Sequence, residues 1–134
     1  MQKLDLKYKS NRKSVADLEN LLIEHKAEIN LPEEKFVNLQ IAVSEAILNA
    51  IVHGNKEISE KNVYVKIEND ERKITISIKD EGKGFDVNTL PDPTKSENLY
   101  KEHGRGIFII KSLVDIFDCI SDSNGTEIII TMLK

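Results

Sequence analysis

The chain has one cysteine, no tryptophan, three prolines and only six glycines. A single cysteine excludes an internal disulfide and a thiolate metal cluster, so Cys119 reads as a small buried hydrophobe. No apolar run approaches the roughly 20 residues that span a bilayer; Ile128-Ile129-Ile130 is among the longest. With 19 basic and 23 acidic side chains the net charge is −4, which gives no electrostatic reason to expect nucleic acid or an anionic membrane as partner. Met1 leads into Lys3, Asp5 and Lys7 rather than an apolar leader, so a cytoplasmic protein is expected. There is no G-x-x-x-x-G-K-[ST] and no strand-linked G-x-G-x-x-G, which leaves neither a P-loop nor a Rossmann site. What remains is 134 residues, 40% hydrophobic and 31% charged: one domain, residues 1–134, with room for one sizeable core.

Periodicity gives the order of elements. Gln2 to Tyr8 alternates as a strand. Ser14 to about Glu28 carries Val15, Leu18, Leu21 and Leu22 at helical spacing, with Ser14 as its expected N-cap. A fresh helix starts near Pro32, with Glu33 and Glu34 at its positive end, and runs to His53 before stopping at Gly54-Asn55. Val63, Val65 and Ile67, then Ile74, Ile76 and Ile78, form two strands of an antiparallel hairpin. A third helix is expected from Gly104 to about Phe117, and Asp118–Ser123 and Thr126–Leu133 complete the chain as strands. The order predicts an α+β two-layer sandwich: a mixed, mostly antiparallel sheet with helices on one face.

Three clusters carry chemistry. On the second long helix Glu45, Asn49 and His53 recur every four residues and share one side, beside an apolar face of Phe36, Leu39, Val43, Ala46, Ile47 and Ala50. Asp80 ends a buried strand just before Gly82 and Gly84, and offers an acceptor-only carboxylate suited to a ring with an exocyclic amino group. Gly104-Arg105-Gly106 is expected at a helix N-terminus, where free N–H groups and close backbone approach favour phosphate, with Arg105 adding a charge-assisted contact. Between the last two clusters, residues 87–103 are polar, contain Pro91 and Pro93 and show little periodicity, as a functional loop would.

Glu45-x-x-x-Asn49-x-x-x-His53, Asp80-x-Gly82-x-Gly84-Phe85, Gly104-Arg105-Gly106 and Gly125-Thr126, in that order, resemble the motifs of a GHKL-type ATP-binding domain. Within that superfamily the chain is most similar to the small anti-sigma factor serine/threonine kinases of bacteria. Histidine-kinase domains usually carry an amide where Glu45 stands and a lysine where His53 stands.

The resemblance implies ATP and Mg²⁺ as cofactors. Glu45 would be the general base and Asn49 the metal ligand. Asp80 would bind the adenine amino group, supported by Thr126, with Gly82 and Gly84 forming the turn over the base. Gly104, Arg105 and Gly106 would hold phosphates under a lid formed by residues 87–103. His53 would orient phosphate or Asn49, with helix capping or packing as its alternative role. The implied partners are a STAS-domain anti-anti-sigma factor as substrate, a sigma factor held in the other state, and a second copy of the chain. The alternative is a nucleotide-gated binding module without phosphotransfer.

Overall fold

A computed structural model describes residues 2–84 and 102–134. Strand β1 (Lys3–Lys9) is followed by helix α1 (Lys13–Glu24), a short α2 (Lys26–Ile29) and the long α3 (Glu33–Asn49). One π-helical turn, Ala50–Gly54, extends α3 and leads into β2 (Asn62–Asn69) and β3 (Lys73–Lys79). Helix α4 (Glu102–Leu113), β4 (Ile116–Asp122) and β5 (Gly125–Leu133) complete the fold.

The strands form one sheet in the order β1-β2-β3-β5-β4. All its pairings are antiparallel, so the expected mixed character is absent. Period-2 alternation fixes the register. Leu6, Val65, Ile78, Ile128 and Cys119 stand side by side across the five strands, and Leu4, Ile67, Ile76, Ile130 and Phe117 form the next row. A slip of one residue would turn both rows out to solvent. The helices cover these rows with Leu18, Leu22, Phe36, Leu39, Val43, Ile47 and Ile110, all buried. By length and composition Glu33–Gly54 would pass for a membrane span. Here its apolar side is the centre of the core.

Some boundaries differ from the sequence reading, each for a local reason. Ser14 is not the N-cap: Arg12 holds that place, and the buried Ser14 hydroxyl donates to the Lys9 carbonyl at 2.8 Å. Helix α1 ends at Glu24, because His25 leaves helical geometry, and Asn30 in a left-handed conformation closes α2. Helix α4 starts at Glu102 and ends at Leu113; Phe117, expected in the helix, is in β4. Asp115 sets that exit by accepting from the Leu133 amide at 2.7 Å and from Lys35 at 3.0 Å.

Candidate functional site

The four-residue spacing on α3 does what the helical period requires. Glu45, Asn49 and His53 line one cavity of about 340 Å³, facing Arg105, Gly106 and Ile109 of α4 and Arg12 before α1. Gly106 sits directly over the pair: a side-chain carbon there would stand 3.6 Å from Glu45 Oε2 and 3.8 Å from Asn49 Oδ1. Asn49 is only 7% exposed, yet its carboxamide has no hydrogen-bond partner among the described residues. Burying an amide unpaired costs on the order of 1–3 kcal/mol, so an orphan in a cavity wall marks a place where a ligand completes the bonding. Glu45 and His53 are half-buried and Arg105 is exposed.

Asp80 is built differently. It follows β3 and is 4% exposed, and its Oδ1 accepts from the amides of Gly82 at 2.9 Å and Thr126 at 3.0 Å. Its own amide donates to the Thr126 carbonyl at 2.9 Å. Burial pushes its pKa above the ordinary carboxylate range, against the two amide bonds and the charges of Lys61 and Lys79. Three glycines enclose it. A side-chain carbon on Gly54 would lie 2.1 Å from Asp80 Oδ2, and one on Gly125 would lie 2.1 Å from the Asp80 carbonyl oxygen. One on Gly82 would strike the Gly54 carbonyl at 2.3 Å. Gly125 also has φ +137, a conformation L side chains rarely adopt. The second carboxylate oxygen, Oδ2, is left without a protein donor among the described residues. Thr126 pairs its hydroxyl with Ser121 at 2.7 Å, and Gly84, at φ +75, packs against Asp122 and Ser121 at the edge of the same cluster.

The π turn joins the two loci. The Asn55 amide reaches back to the Ala50 carbonyl at 2.8 Å, so one extra residue is wound in after Asn49 and Gly54 is carried against Asp80. Asn55 is fully buried. Its Nδ2 donates to the Asn62 carbonyl at 2.9 Å and the Ser10 hydroxyl at 2.8 Å, and its Oδ1 accepts from the Glu81 amide at 2.7 Å. One side chain therefore ties the end of the helix to the start of β2 and to the segments that follow β1 and β3.

The structure thus brings Glu45, Asn49, His53, Arg105 and Gly106 to one cavity, and Asp80, Gly82, Gly84 and Thr126 to an adjoining cluster outside its lining. Gly104-Arg105-Gly106 does not open its helix as expected. The run lies two residues inside α4, and in a helix starting at 102 the amides from 105 onward are taken up by the helix itself. Arg105 and Gly106 therefore line the cavity with their own atoms rather than with open helix-end amides. The lid assigned to 87–103 falls outside the described residues except for 102 and 103, which belong to α4. Sequence reasoning missed Gly54, Asn55 and Arg12. The Gly54-Asn55 pair was visible only as a helix stop, and nothing near Arg12 in the chain signals its place.

No cluster of three acidic, histidine or cysteine side chains could enclose a metal among the described residues. Mg²⁺ binds through one or two protein oxygens and completes its shell with phosphate and water. Asn49 Oδ1 is the oxygen that fits, and the unpaired Oδ2 of Asp80 suits an amino-bearing base.

The family of histidine kinase-like ATPase domains matches residues 9–132. The serine-protein kinase RsbW of Staphylococcus aureus (strain MSSA476) is 38% identical in an alignment 96 residues long that covers 65% of this chain. The match spans 59% of that relative's length. The crystal structure of the RsbU and RsbW domains of Rv1364c from Mycobacterium tuberculosis superposes on 99% of this chain and 32% of its own, with TM-score 0.71 at 18% identity. The histidine kinase domain of the Erythrobacter litoralis EL346 blue-light activated histidine kinase covers 76% of this chain and 46% of its own, with TM-score 0.58 at 20% identity. These two structures share the fold.

Proposed function

This chain belongs to the histidine kinase-like ATPase domain family, and from that premise we propose that it is a magnesium-dependent serine/threonine kinase. Its substrate would be a small STAS-type anti-anti-sigma factor. It would hold a sigma factor in the alternative state and act in the cytoplasm as a homodimer. The observation that carries the proposal is the buried Asn49 carboxamide, without a hydrogen-bond partner among the described residues, in the cavity that Glu45 shares. The similarity to serine-protein kinase RsbW supports the choice of acceptor.

In this reading Asp80 and Thr126 would hold the base end of ATP, and Asn49 would hold Mg²⁺ through its side-chain oxygen. Mg²⁺ supplies charge neutralisation along the phosphate chain. Glu45, one helical turn before Asn49, takes the proton from the incoming hydroxyl as its oxygen bonds to the terminal phosphorus and the bond to the leaving diphosphate breaks. Phosphate on the partner adds about two negative charges and dissociates the complex.

The test is phosphate transfer from labelled ATP to STAS proteins of the same genome, with Glu45→Gln beside the parent. Loss of a general base lowers transfer by about 10²–10⁴-fold, with ATP affinity within a few-fold of the parent. Phosphate-dependent partner release that persists in Glu45→Gln would contradict the assignment.

A further inference from the structure

Arg12 stands outside every motif that identifies this fold, yet it lines the same cavity as Glu45, Asn49, His53 and Arg105. Its Nε donates to Glu57 Oε1 at 2.8 Å. Among the described residues its two terminal nitrogens meet no protein acceptor. A guanidinium anchored by Nε alone still presents the donors that match phosphate.

Its anchor is unusually placed. Lys56 and Glu57 both have left-handed backbones, φ 55 and φ 57, with no glycine between them. Such conformations cost on the order of 1 kcal/mol or more each. The Glu57 amide donates to the Ile51 carbonyl at 2.8 Å, which locks this turn onto the π-helical segment behind His53. The strained turn sets a carboxylate beside the cavity, where it fixes one edge of Arg12. As an ordinary exposed ion pair the contact would be worth little.

We infer that Arg12 is a phosphate-contacting residue of this site and Glu57 its positioning residue. The inference rests on the nucleotide-binding reading above and adds to it a second cation lining the same cavity as Arg105. The ligand class is the phosphate chain of a nucleoside triphosphate. The base end lies at Asp80, which is not part of this cavity, so the contribution of Arg12 grows with the number of phosphates.

The test is calorimetric titration of the intact chain with ATP, ADP and AMP, using the parent, Arg12→Met, Arg12→Lys and Glu57→Gln. Arg12→Met keeps the aliphatic stem and removes the charge. Its ATP affinity is expected to fall about tenfold, the effect of one charge-assisted contact, with AMP affinity within twofold. Arg12→Lys restores part of the loss, and Glu57→Gln weakens ATP by about two- to fourfold through loss of orientation. The salt dependence of ATP affinity becomes shallower in Arg12→Met and stays steep in Arg12→Lys. If the parent binds ATP and Arg12→Met binds it equally well, the Arg12 assignment alone is overturned. The same holds if AMP weakens as much as ATP. A parent that binds none of the three nucleotides overturns the nucleotide reading itself.

Discussion

At Asp80 every neighbour is fixed: two amides hold one carboxylate oxygen, and three glycines leave no space for a methyl group around it. At Asn49 and Glu45, one segment away, a buried amide has no partner among the described residues and the glycine above it leaves room for a methyl. The first locus is held rigidly by the protein, with one carboxylate oxygen left open, and the second is arranged for something to be added. A site that must read the same base each time, but let phosphate and protein come and go, gains from that division. In the proposed reading rigidity would discriminate at one end, and an unmet hydrogen-bonding demand would drive binding at the other.

The largest expected effect would break the rigid half. Gly125→Ala forces a side chain into a left-handed position against the Asp80 carbonyl, and should lower unfolding free energy by about 3 kcal/mol or more, read by chemical denaturation. A fall below about 1 kcal/mol would show that the Asp80 cluster yields, and the contrast would dissolve.

The second prediction probes the open half with the same chemical change. At Gly106 a methyl group meets only ordinary contacts, the nearest at 3.6 Å, in a helix interior. Gly106→Ala should therefore raise stability by about 0.5–1 kcal/mol while lowering ATP affinity. A loss of stability would mean that this end is as tightly built as the other.

The smallest effect concerns pH. Burial raises the pKa of Asp80 in the folded chain, so its contribution to stability is fully present below the unfolded carboxylate pKa and is lost as pH rises through the folded value. Stability of the parent relative to Asp80→Asn should fall across that window, and a rise would contradict the assigned burial. In the proposed reading the base is held by the ionised form, so ATP affinity should weaken on acidification through the same range.

Much of this contrast was legible in the chain. The alternation of Val63-Val65-Ile67 and Ile74-Ile76-Ile78 set the sheet, and the spacing of Glu45, Asn49 and His53 set one wall of the cavity. Five of the six glycines lay in recognised clusters. Gly54 did not, because its reason lies 26 positions away, in Asp80. Asn55 was hidden for the same reason: its partners are Ser10, Asn62 and Glu81. The start of α4 was misplaced because glycines read as a helix boundary, although here the helix already begins at Glu102 and both lie within it. Local pattern shows periodicity; it does not show which distant backbone a missing side chain accommodates.

The most direct test titrates the parent and Asn49→Ala with ATP, with and without Mg²⁺, and compares their melting temperatures. Asn49 has no hydrogen-bond partner to lose among the described residues, so the variant should melt no lower than the parent. It should bind Mg-ATP at least about tenfold more weakly, and Mg²⁺ should no longer strengthen its binding. Unchanged Mg-ATP affinity in a folded Asn49→Ala would contradict the account.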